Sequence, residues 1–125
     1  MTSVVRTRLL ATTQEILAGE QRAWAARYDV APISSLVPRS RARVAGVLRS
    51  VTYAPAGAVT ALRAELYDGT GSIDLVWTGR RDVPGIVAGR RLLATGTVAR
   101  SEPGRSRPAI HNPVYDLLPA GEEHA

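Results

Sequence analysis

Leu66-Tyr67-Asp68-Gly69-Thr70-Gly71-Ser72-Ile73-Asp74-Leu75-Val76-Trp77 is the stretch on which the fold turns. Its centre, Asp68-Gly69-Thr70-Gly71, holds the residue types that accept a tight reversal. Asp hydrogen-bonds its own nearby backbone, and Gly adopts positive φ at no steric cost. Polarity alternates on both sides of it. Residues 58–67 put Thr60, Leu62, Ala64 and Leu66 on one face and Ala61, Arg63, Glu65 and Tyr67 on the other. Residues 72–78 keep Ile73, Leu75 and Trp77 in phase. A period of two is the mark of a half-buried strand, so this stretch predicts an antiparallel hairpin.

The same period extends outward. In residues 41–53, Ala42, Val44 and Leu48 alternate with Arg41, Arg43 and Arg49, which predicts a strand with one apolar and one basic face. Gly46 inside it predicts a bulge or a sharp coil, and Pro55-Ala56-Gly57 predicts a turn. After the hairpin, residues 79–88 form a connection carrying Arg80 and Arg81, broken by Pro84 and Gly85, with room for a turn of helix. Residues 90–100 form a fourth strand with Leu92, Ala94, Gly96 and Val98 in phase, and 102–107 a polar turn. A short fifth strand spans 108–118, and Pro113 within it predicts an edge or a strand end.

Upstream, residues 12–28 predict a helix. Thr12 and Glu15 have capping-box spacing, while Leu17, Trp24 and Tyr28 fall near one face. Trp24 is expected to be the anchor that docks this helix on the main domain. Pro32 and Pro38 bracket an extended connection. The organisation expected is a helix and linker over 1–40, a small closed barrel over 41–118, and an acidic disordered tail over 119–125.

Composition narrows the function. The chain has 125 residues, 45% hydrophobic and without cysteine, which excludes disulfides and cysteine-bound zinc. It has no apolar run of membrane-spanning length and no signal-peptide core near its start, so no membrane partner and a cytoplasmic location are expected. All 16 basic residues are arginine, for a net charge of +5. Residues 41–107 hold eleven arginines against five acids, whereas 108–125 hold three acids and no arginine. The positive charge sits on the predicted barrel, where it attracts polyanions.

Four pieces in order carry a family likeness. They are the hairpin Leu66–Trp77; Arg43-Val44-Ala45-Gly46-Val47-Leu48 as a first strand with its glycine; Gly89-Arg90-Arg91-Leu92-Leu93-Ala94-Thr95-Gly96-Thr97-Val98 as the start of strand four; and Ile110-His111-Asn112-Pro113-Val114-Tyr115 as the closing strand. Together, over about residues 41–118, they resemble OB-fold nucleic-acid-binding domains. The likeness is to the wedge domain of bacterial replication-fork-rescue helicases and to short actinobacterial proteins of that OB type. The resemblance implies an all-β core, a five-stranded OB-fold barrel with an N-terminal α-helix. It implies binding of single-stranded nucleic acid, DNA ahead of RNA, with little sequence preference. OB-folds also bind proteins, so a protein-interaction module is the rival reading. No helicase motor comes with the likeness: a chain without lysine cannot build a P-loop.

OB-folds bind on strands two and three, between the loops joining strands one to two and four to five. Single strands need a positive path for phosphates and flat groups for bases. The expected phosphate contacts are Arg41, Arg43, Arg49, Arg63, Arg80, Arg81, Arg105 and Arg107. Tyr67 is the first stacking candidate and Tyr53 the next. Trp77 has two readings, a stacking platform at the end of strand three or a residue packed in the barrel.

Catalysis is not expected. His111 reads as structural and His124 lies in the tail, and neither sits at metal-ligand spacing from a carboxylate. No nucleophile elbow occurs. Asp68 reads as a turn residue, and Asp74 and Asp82 as ordinary surface charges. No cofactor is expected.

Overall fold

The computed structural model describes residues 2–56, 59–80 and 82–119. Helix α1 (Thr2–Ala25) leads through a 3-10 turn at Ile33–Ser35 into six strands. These are β1 (Arg41–Ala56), β2 (Val59–Tyr67), β3 (Ser72–Thr78), β4 (Arg91–Ala99), β5 (Ala109–His111) and β6 (Val114–Leu117).

The first five strands close a ring in the order β1-β2-β3-β5-β4, with β4 pairing back onto β1. All contacts in the ring are antiparallel except β3 with β5. This is the OB-type barrel. β1 reaches both sides because it serves two partners: Arg41–Val47 pair with β4, and Val47–Ala56 with β2. Gly46 marks the handover. A Cβ there would overlap the Tyr67 carbonyl oxygen, so the strand coils where only glycine fits. The bulge falls one turn of the pleat later, between Leu48 and Ser50, and skips Arg49 out of register.

Alternation holds around the ring. Val44, Leu48, Leu62, Ala64, Leu66, Ile73, Leu75, Leu92, Ala94, Val98 and Ile110 fill the interior, with Ile33, Val83 and Ile86 packed on the same cluster. The hairpin turn is built as expected. Asp68 Oδ1 accepts hydrogen bonds from the Thr70 and Gly71 amides at 2.8 and 3.2 Å. Its Oδ2 also accepts from the Ile33 amide at 2.9 Å, which pins the linker to the hairpin.

Five expectations change. The helix starts at Thr2 rather than 12 and stops at Ala25. Residues 2–11 contain neither Pro nor Gly, so nothing interrupts the turns, and the Thr12–Glu15 pair lies inside the helix. Leu17 is 54% exposed, because the helix meets the barrel only near its end. There Arg22 donates to the Gly69 carbonyl, and Trp24 and Ala25 bury against Ala45 and Leu93. Trp24 is the anchor expected of it. β1 runs past Pro55, which is tolerated because that half of β1 pairs with β2 alone. No helix occurs among the described residues between β3 and β4. The closing segment splits at Pro113 into β5 and β6, which both pair with β4. Of the expected acidic tail only Pro119 is among the described residues.

Candidate nucleic-acid interface

The outer face of β2 and β3 is set by parity. Opposite the core residues stand Arg63, Glu65 and Tyr67 on β2 and Ser72, Asp74 and Val76 on β3, paired as Tyr67 with Ser72, Glu65 with Asp74 and Arg63 with Val76. The β4–β5 loop closes over them and delivers Glu102, Arg105 and Arg107.

Asp74 organises this face. It is 1% exposed, so its expected role as an ordinary surface charge does not hold. Arg63 Nη1 donates to Asp74 Oδ2 at 3.0 Å, and Arg107 Nε to Oδ1 at 3.1 Å. Arg105 Nη1 lies 3.8 Å from Oδ2, and the Pro108 carbonyl receives the Asp74 amide. A buried carboxylate is tolerated only when it is paired and hydrogen-bonded, and these guanidiniums meet that condition. Arg63 reaches on to Glu102 with its other nitrogen, at 3.1 and 3.2 Å to the two carboxylate oxygens. That hydrogen bond is the main reason the Glu102 carboxyl is held below its ordinary value of 4.5. The charges of Arg63, His111 and Arg105 add to it, and desolvation opposes it. Glu65 accepts from Ser72 Oγ at 2.7 Å and has Arg49 and Arg107 each at 3.9 Å.

Tyr67 stands beside this cluster. The Arg49 guanidinium lies 4.3 Å above the centre of its ring, close enough for a cation–π contact. The bulge at Arg49 is what swings that side chain over β2. Tyr53, farther along β1, is exposed.

The expected site residues therefore divide. Arg49, Arg63, Tyr67, Arg105 and Arg107 come together on the β2–β3 face. Arg63 lies largely beneath its two carboxylates and offers little to an incoming phosphate. Trp77 is corrected: it is 1% exposed inside the barrel, edge-on to Tyr115 at 5.5 Å, so its ring is not open to a base. Being in phase with Ile73 and Leu75 put it on the core side. Arg80 is exposed just after β3, and Arg81 lies outside the described residues. Arg41 and Arg43 stand elsewhere, on the part of β1 that pairs with Thr97 and Thr95 of β4. Sequence reasoning missed Asp74 and Glu102, whose partners are set by the β3–β5 pairing and the folded loop. No groups of acids and histidines that could hold a metal occur among the described residues.

No protein-family model and no curated protein matches the sequence. Among solved structures the chain is similar to "Structure of RecG bound to three-way DNA junction", with a TM-score of 0.55 and 23% sequence identity. The match covers 77% of this chain. The chain spans about a seventh of that protein, 14% of its length. At this identity the likeness is one of fold, and it agrees with the OB wedge-type resemblance carried by the four sequence pieces. No helix among the described residues is long and apolar enough to cross a membrane.

Proposed function

We propose that this barrel binds single-stranded nucleic acid, DNA ahead of RNA, with little sequence preference, and performs no chemistry of its own. The observation that carries the reading is the arginine array around Tyr67. Three exposed guanidiniums, Arg49 from β1 and Arg105 and Arg107 from the β4–β5 loop, are held on one face beside an aromatic ring, with Arg63 beneath them. Arginine has five donors in a rigid fork, so a guanidinium anchored through one edge keeps others for phosphate. Anchoring on Asp74 and Glu65 lowers the ordering cost of binding, because fewer rotamers remain to be frozen. Tyr67 and the Arg49 plane supply flat surface for bases of any identity, which is why sequence preference is expected to be weak. The similar RecG structure holds DNA, which gives the reading support at the level of fold.

The test is fluorescence anisotropy with single-stranded DNA, single-stranded RNA and duplex at two salt concentrations. Binding to single strands at about 50 mM salt, weakening steeply as salt rises, is the expected result. No binding there rules the reading out.

The rival reading, a protein-interaction module, has one observation in its favour. Ile16 and Leu17 are 55% and 54% exposed on α1, before the helix reaches the barrel. A partner captured from lysate that survives nuclease treatment, together with failed oligonucleotide titrations, would favour that reading.

A further inference from the structure

On the β2–β3 face each arginine has a carboxylate within 4 Å: Arg49 has Glu65, Arg63 has Asp74 and Glu102, and Arg105 and Arg107 have Asp74. That face fixes guanidiniums in place but presents little net charge. Beyond Arg80 at the end of β3, a cluster of unpaired charge lies on another side of the barrel. Arg39, Arg41, Arg43 and Arg100 are all exposed, and none makes an ion pair among the described residues.

These four share one region. Arg41 and Arg43 are alternate residues on β1, opposite Thr97 and Thr95 of β4, so they project from one face about 7 Å apart. The Arg39 amide donates to the Val98 carbonyl at 2.7 Å, which sets Arg39 against the end of β4. Arg100 follows β4 directly and begins the loop that ends at Arg107 on the β3 side. Arg41 and Arg43 also line an open concavity of about 430 Å³ with Leu36, Val37 and Ser40, in which Asp29 is the one acid.

The geometry points to a second phosphate track: the nucleic-acid backbone that lies on β2–β3 continues over the β4–β5 loop onto Arg100, Arg41 and Arg43. This rests on the single-strand reading above. From β3 the path crosses β5 and β4 to β1, three strand spacings or about 15 Å. The loop between carries arginine at both ends. A polyanion is the occupant that suits the track. The arginines stand directly opposite Thr95 and Thr97 across the strands, the patch is open, and its cations make no ion pair among the described residues.

The experiment compares a short oligonucleotide of about 6 nucleotides with one of about 20, spanning the range one OB barrel accommodates. Wild type and Arg41→Gln/Arg43→Gln are titrated at 50 and 200 mM salt. With two phosphate contacts removed, the salt slope for the long strand should fall by about 1.4. At 50 mM the variant should bind the long strand about sevenfold less tightly relative to wild type than at 200 mM. The short strand should bind both proteins alike, which separates a track from a general loss of field. Equal slopes for the long strand overturn the inference, as does equal weakening for both lengths. If wild type binds neither strand, the single-strand reading itself fails, and that result is distinct from the other two.

Discussion

On the β2–β3 face the arginines are locked: Arg63 and Arg107 hold Asp74 at 3.0 and 3.1 Å, and Arg49 lies on the Tyr67 ring. On the β1–β4 face Arg41 and Arg43 extend into solvent with no ion pair among the described residues. The side chain is the same and its surroundings differ. A guanidinium that is paired and partly buried has its charge compensated by the carboxylate but gains a fixed direction. An exposed one keeps its charge but must be ordered when a ligand arrives. The first arrangement suits selection of geometry, such as a base against a ring. The second suits attraction, which is strong at low salt and screened at high salt. Counting arginines along the chain does not separate the two.

The difference can be broken at its strongest point by Asp74→Ala. Removing the carboxylate leaves Arg63 and Arg107 crowded without their shared partner. Because those side chains are partly exposed, we expect a loss of about 2–4 kcal/mol of stability, read by urea unfolding. A loss below about 0.5 kcal/mol would mean that the network contributes nothing. Next in size is Tyr67→Ala. It should weaken single-strand binding by about 1–3 kcal/mol, the worth of one stacked base, with the salt slope unchanged. A changed slope with unchanged affinity at low salt would assign Tyr67 no stacking role.

Arg41→Gln/Arg43→Gln is the counterpart on the other face. Exposed residues without partners should shift stability by no more than about 0.5 kcal/mol in urea unfolding. A larger loss would show that this face, too, is structurally engaged. The smallest effect concerns pH. Glu102 is held below 4.5 in the folded chain by the Arg63 hydrogen bond, so its contribution is present above that value and is lost as pH falls through the depressed one. Glu102→Gln should lower stability slightly at neutral pH, where that contribution is present, and converge with wild type at acid pH, so the acid limb flattens. An acid limb identical to wild type would sever Glu102 from the network.

Much of the fold was legible in the residues. The hairpin at Asp68–Gly71, the phase of Ile73, Leu75 and Trp77, the coil at Gly46 and the break at Pro113 all follow from local rules of period and turn chemistry. The start of the helix is not legible there, because Thr12 and Glu15 form a capping signal that the continuing helix overrides. The spacing of Leu17 suits a buried face, yet the barrel meets α1 only near its end.

The sequence by itself determined which residues face inward and where the chain reverses, because alternation and turn preference act over a few residues. Only the tertiary structure decided which charges meet. Arg63 and Glu102 are 39 residues apart, and Arg107 and Asp74 33 apart. Their encounter needs β5 laid parallel to β3 and the loop folded over it. It also decided Trp77, since phase assigned its side but only closure of the ring covered it. Side-chain direction is a property of the strand, whereas ion pairing and burial belong to the assembled barrel.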